Sequence, residues 1–143
     1  MNIENIDKAI AVMTRVKDRG DNINMDAWQE NFDDHFCATE DELHSCGTAA
    51  CFAGWVAVSP EFEDSGGSLN WDGSPRLGKF HDTEAIAAWL GIPSRDANAL
   101  CWIADHFYIQ EYMFCSADEV TADSVISVLS RLKETGSVFG ENV

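Results

Sequence analysis

Lysine and arginine are scarce in this sequence: nine stand against 25 aspartates and glutamates, leaving a formal net charge of −16. The few bases are also unevenly placed. None lies between Arg19 and Arg76, where twelve acids fall, and none between Arg95 and Arg131, where six do. A surface of that sign repels phosphate backbones and anionic membranes. It argues against direct nucleic-acid or membrane binding and towards a partner with a basic surface. Long apolar runs are lacking as well, for nothing approaches the roughly 18 to 20 residues that span a bilayer. The opening MNIENIDKAIAVM has neither the basic stretch nor the apolar block of a secretory signal. The five cysteines (Cys37, Cys46, Cys51, Cys101, Cys115) are odd in number and follow no disulfide-framework spacing. These features together lead us to expect a cytoplasmic protein with reduced or metal-bound thiols.

Sequence signatures of common enzymes are missing too. There is no G-x-x-x-x-G-K-[ST] phosphate loop, no dinucleotide fingerprint and no G-x-S-x-G elbow. The carboxylate runs Asp33-Asp34 and Glu40-Asp41-Glu42 lack the order of a calcium loop. A non-enzymatic protein without a resident cofactor is the expectation.

What is present suits a folded, mostly α-helical domain. The chain has 143 residues, 45% of them hydrophobic, enough for one core without staples. Ile3, Ile6, Ile10, Met13 and Val16 recur at three- and four-residue intervals, the stripe of an amphipathic helix, with Lys17 and Arg19 in its last turn and Gly20 as cap. Residues 21–45 read as acidic and irregular, anchored by Ile23, Met25 and Trp28. Thr48 is placed to cap a short apolar helix over Ala49–Val58, ended by Pro60 and expected at the centre of the domain. Residues 60–80 are rich in Gly, Ser and Asp, with turn signals at Gly66-Gly67 and Asp72-Gly73, and predict a loop or small hairpin inserted into the domain. Asp82 or Thr83 caps a helix through Leu90, Ser94 caps the next, and Thr121 caps a last one carrying Val125, Leu129 and Leu132. The sum is a single domain over 1–143, a bundle of about five helices, with residues from about 137 to 143 expected to fray.

Three groups of side chains are candidates for function. His35, Cys37, His44, Cys46 and Cys51 are potential zinc ligands, since thiolate and imidazole are what zinc prefers, although their spacing matches no known zinc motif. Cys46 or Cys51 near a helix N-terminus can alternatively act as a nucleophile with His81 or His106 as base. CGTAACFAGW has a superficial likeness to the Cys-Gly-Ser-Cys-Trp of papain-like proteases, with two extra residues before Cys51. The third group is a binding surface. Trp71 sits at the tip of the Gly-rich loop with no evident place in a core, and an exposed tryptophan is a typical interface anchor. The acids Asp33, Asp34, Glu40, Asp41, Glu42, Glu61, Glu63 and Asp64, all earlier in the chain, join it as candidate partner-binding residues.

Several of these residues also carry a resemblance. Met25-x-x-Trp28, the run Cys46-Gly47-Thr48-Ala49-Ala50-Cys51-Phe52-Ala53-Gly54-Trp55, and Trp89-Leu90-Gly91-Ile92 with Ala97-x-x-Leu100 resemble a group of small uncharacterised phage and bacterial proteins. That group shares a Cys-Gly-Thr-x-x-Cys-x-x-Gly-Trp core and a C-terminal amphipathic helix. The likeness spans most of the chain and departs from the group at Trp102 and in the acidic stretches around 29–43 and 61–75. It implies a phage or mobile-element origin and action on a host component in the host cytoplasm. Read physically, Gly54 allows another element to approach closely and Trp55 fills the gap beside it. The expected function is an acidic protein that engages and inhibits a basic host protein as a DNA mimic does. The alternatives are a small-molecule or nucleotide binder using the Gly-rich loop and aromatics, and a zinc-stapled module or cysteine enzyme.

Overall fold

The computed structural model describes residues 1–23, 28–29, 37–46, 49–101 and 120–138, with only the backbone of Cys46. Helix α1 (Ile3–Arg19) begins where Asn2 Oδ1 accepts a bond from Asn5 N at 3.0 Å, and ends at Gly20 with φ 72°. Its buried face is Ile6, Ala9, Val12, Met13 and Val16. The outermost residue of the expected stripe, Ile3, is exposed instead. Helix α7 (Ala122–Thr135) packs along α1. Thr121 caps it as expected, its Oγ1 accepting from Ser124 N at 3.2 Å, and Val125, Val128, Leu129 and Leu132 are buried.

Helix α3 (Phe52–Val58) packs against α1 and the later helices over Asp82–Leu90 and Ser94–Cys101, and every residue of it is buried, as its apolar sequence requires. Its start differs from expectation. The cap is Cys51, whose Sγ accepts from Gly54 N at 3.3 Å, while Ala50 is in extended backbone paired with Ile23. Thr48 lies outside the described residues. Pro60 does not simply end this helix. It occupies the first turn of α4 (Pro60–Asp64), capped by Ser59 Oγ, because proline suits a position whose N–H has no helical acceptor.

The segment read as irregular contains α2 (Glu40–Cys46). Thr39 Oγ1 accepts from Glu42 N at 3.1 Å, and the Glu42 carboxylate reaches back to Ala38 N at 3.1 Å. This is close to a capping box, and Thr39-x-x-Glu42 was its signal in the sequence. The inserted segment forms an antiparallel meander, β1 (Gly67–Leu69), β2 (Pro75–Leu77) and β3 (Phe80–His81), with Ser68 opposite Arg76 and Leu77 opposite Phe80. Helices α5 (Asp82–Leu90) and α6 (Ser94–Cys101) follow. Ser94 Oγ donates to the Glu84 carboxylate at 2.9 Å rather than capping α6.

The described residues thus hold seven helices and a three-stranded sheet, mostly α but not a bundle of about five. The surplus comes from the short α2 and α4, each of which buries one large apolar side chain, Leu43 and Phe62. One cluster of buried side chains runs from Ile6 to Val138, with Phe62 edge-on to Trp89 at 5.4 Å between centroids. Ser137 and Val138, expected to fray, are tied down: Val138 is fully buried and its N donates to Asp96 Oδ1 at 3.2 Å. No helix among the described residues is long and apolar enough to cross a membrane.

Candidate binding site

The acids split into two sets. Glu40 is buried and Glu61 half-buried because Arg15 of α1 reaches between them. Arg15 Nε and Nη2 donate to Glu40 at 3.0 and 2.9 Å, and Nη1 and Nη2 to Glu61, both at 2.6 Å. The fork-shaped guanidinium clamps α2 and α4 onto α1. Hydrogen bonding from Arg15 holds the Glu61 carboxyl below its ordinary range, and the two carboxylates push Arg15 upwards. Glu40 and Glu61, expected on the partner surface, are therefore internal braces. A carboxylate whose lone pairs are already filled by a guanidinium has little left to offer a partner.

The second set faces solvent. Asp41, Glu42, Glu63 and Asp64 are all exposed. Asp41 meets Arg19 at 3.1 Å, a surface pair that contributes little. Glu63 and Asp64 have no Lys or Arg within ion-pair distance among the described residues. Asp41 and Glu63 also line a shallow groove of about 170 Å³ with Thr39, Val58 and Pro60. A second groove of about 320 Å³, sharing Thr39, Val58 and Glu63, runs on to Leu69 of β1. Asp33 and Asp34 lie outside the described residues.

One residue further on, at Asn70, a cleft of about 350 Å³ opens, lined by Asn70, Trp71, Asp72, Ser74, His81 and Asp82. Trp71 is 82% exposed, as its place between two turn signals implied. His81 Nδ1 lies 3.3 Å from Asn70 Oδ1 and links the β1–β2 turn to the start of α5. Asp82 has φ 57°, the positive-φ residue other than glycine among those described, in a region that Asp tolerates better than most side chains. No local sequence signal marks His81 and Asp82 as neighbours of Trp71, since the meander brings them there.

Of the metal and thiol candidates, the side chains of Cys37, His44 and Cys51 are described, and they do not gather as a group of three. Cys37 is buried, its backbone N and O paired with the side chain of the buried Gln29 at 2.9 and 2.7 Å. His44 Nδ1 donates to Asp21 Oδ1 at 2.6 Å. No group of three or more His, Cys, Asp or Glu side chains gathers as a metal site among the described residues, which exclude His35 and the Cys46 side chain. Cys51 does not suit the nucleophile role. Its sulfur sits at a helix start as foreseen, but burial pushes the thiol up to about 12, overcoming the amides that favour thiolate. The expected result of iodoacetamide labelling at pH 8 is therefore an unmodified Cys51 in the folded protein and a modified one in denaturant, read by peptide mapping. Rapid native labelling of Cys51 would contradict its burial.

In comparison with known proteins, no family model, curated protein or solved structure matches the chain.

Proposed function

We propose that this chain is a non-enzymatic acidic binding protein that engages, and by doing so inhibits, a host protein with a basic surface. The observation that carries this reading is how the charge is distributed. Lys8, Arg15, Lys17, Arg19 and Lys133 all make ion pairs on or across α1. Asp41, Glu42, Glu63 and Asp64 are left exposed beside the grooves around α2, α4 and β1. A field of one sign over a concave surface attracts a partner of the opposite sign and speeds its encounter. A groove on the host protein that ordinarily takes nucleic acid is a target of the right chemistry, and the resemblance to small phage and bacterial proteins supports a host target in the cytoplasm.

The test is a tagged pull-down from nuclease-treated lysate, washed in parallel at low and high salt. The expected result is one abundant basic protein retained at low salt and lost at high salt, because exposed charge pairs are screened within about 8 to 10 Å at moderate ionic strength. Retention unaffected by salt contradicts the electrostatic reading.

A small-molecule binder is the second reading, favoured by the cleft beside Trp71. An anionic nucleotide is the wrong ligand for it. The lining carries Asp72 and Asp82 but no Lys or Arg, while Arg76 Nε donates to Gly78 O at 3.4 Å and Lys79 lies over the Phe80 ring. A ligand retained in native mass spectrometry supports this reading over the first.

A further inference from the structure

The turn that carries Trp71 is held on several sides. Asp72 Oδ1 accepts from Ser74 N at 3.1 Å and from Ser74 Oγ at 2.5 Å. Asn70 N donates to Ser74 O at 2.9 Å and Gly73 N to Asn70 O at 3.1 Å. Asn70 Nδ2 donates to Ser74 Oγ at 2.9 Å and to Pro75 O at 3.3 Å. Beneath the turn, Gly73 with φ 85° rests on Gln29, close enough that an added Cβ would lie 3.0 Å from that side chain. These bonds fix the backbone on both sides of an indole that stays 82% exposed. A large aromatic carried on a backbone already held in place costs no further loop ordering when a partner covers it, which suits a binding anchor.

The chemistry of the cleft selects what it covers. Its charged lining consists of the Asp72 and Asp82 carboxylates, with the His81 imidazole beside them. At about 350 Å³ it holds far more than a single water, which takes roughly 30 Å³. A cleft lined by an exposed indole and two carboxylates suits an organic cation, which a ring's negative face attracts and a carboxylate holds by charge-assisted hydrogen bonds. Arginine fits better than lysine, because a planar, weakly hydrated guanidinium stacks on a ring and donates sideways at the same time.

We infer that the cleft formed by Trp71, Asp72, His81 and Asp82 seats an arginine side chain of the basic partner, stacked on Trp71 and hydrogen-bonded to the two aspartates. This rests on the reading of the chain as an acidic binder and names the residue that binder takes hold of.

The experiment is an NMR titration of the ¹⁵N-labelled full chain with the blocked tripeptide acetyl-Gly-Arg-Gly-amide, beside the same peptide carrying lysine or uncharged citrulline. The expected result is saturable shifts confined to the amides of 70–74 and 81–83, weaker for lysine and absent for citrulline. Trp71→Ala and the pair D72N/D82N should each weaken binding about fivefold or more. Both are chosen to keep the fold: Trp71 is on the surface, asparagine at 72 retains the Oδ1 acceptor, and asparagine at 82 tolerates the left-handed backbone. Shifts scattered over other acids, equal shifts with citrulline, or binding unchanged in Trp71→Ala overturn the inference. A basic protein captured equally by wild type and Trp71→Ala overturns the cleft while leaving the acidic-binder reading in place. A peptide seated as expected, with no salt-sensitive protein captured, keeps the arginine site and overturns that broader reading.

Discussion

Gly54→Ala is expected to be the most damaging single-methyl change in this protein, lowering stability by about 3 kcal/mol and the melting temperature by about 10 °C. A Cβ built at Gly54 would lie 1.9 Å from the carbonyl oxygen of Trp28 and 2.8 Å from its carbonyl carbon. Both are backbone atoms, so no rotamer change relieves the clash, and the only escape is to push the Trp28 segment off α3. Helix α3 is buried along its whole length, and a shift there is felt by the core on every side. Gly20→Ala is the control. That position has φ 72° but nothing within 4 Å, so alanine there meets only the left-handed backbone penalty of about 1 to 2 kcal/mol. Thermal denaturation of the two variants beside wild type checks the order. Equal losses would mean that the close approach of Trp28 to α3 is not a feature of the folded protein.

Arg15→Met is expected to cost roughly 2 kcal/mol, about 6 °C in melting temperature. Methionine keeps most of the apolar stem but removes the guanidinium, leaving Glu40 buried with Arg19 at 4.0 Å as its nearest cation. Fully buried pairs cost more than this to break, but a third of the Arg15 side chain is exposed, so solvent screening lowers the figure. The same clamp predicts a pH dependence. The folded-state pKa of Glu61 is depressed, chiefly by its hydrogen bonds from Arg15. Its contribution is complete above the unfolded value, near 4.3, and is lost as pH falls through the depressed folded value. Arg15 stays charged throughout and adds no slope in that window. Stability measured by urea denaturation between pH 7 and pH 3 should therefore fall less steeply in Glu61→Gln than in wild type. Parallel curves would remove the clamp from the account.

How much of this was legible in the sequence depends on the range of the interaction. Helices α1 and α7 could be read because periodicity, caps and terminal charges all lie within a few residues of one another and agree. The close approach at Gly54 was legible because glycine inside an apolar helix needs a reason, and the Trp28 backbone supplies it. The start of α3 was misplaced because threonine is an ordinary cap and a thiol is not, yet the sulfur of Cys51 performs that task. Helix α2 is hard to read because its run of acids has the composition of a solvated loop, and its one local signal is the Thr39–Glu42 spacing that caps it. The Arg15 clamp spans 25 and 46 residues of sequence, and no local pattern reveals which two of many carboxylates a given arginine will take. Of the candidate site, Trp71 could be foreseen from the turn signals on either side. His81 and Asp82 could not, because strand pairing in the meander and a positive φ at an aspartate carry them to it.

The clamp also sharpens the functional reading. With Glu40 and Glu61 engaged internally, the described acids of that reading that remain outward are Asp41, Glu42, Glu63 and Asp64. Whether those four carboxylates hold the partner is decided by capture from lysate with wild type and with the variant D41N/E42Q/E63Q/D64N, with circular dichroism confirming that both are folded. Glutamine at 42 keeps an oxygen to accept from Ala38 N, and the Asp41–Arg19 pair is a minor loss, so the fold should survive. The expected result is a basic protein captured by wild type at low salt and lost in the neutralised variant. The same protein captured equally by both would contradict it.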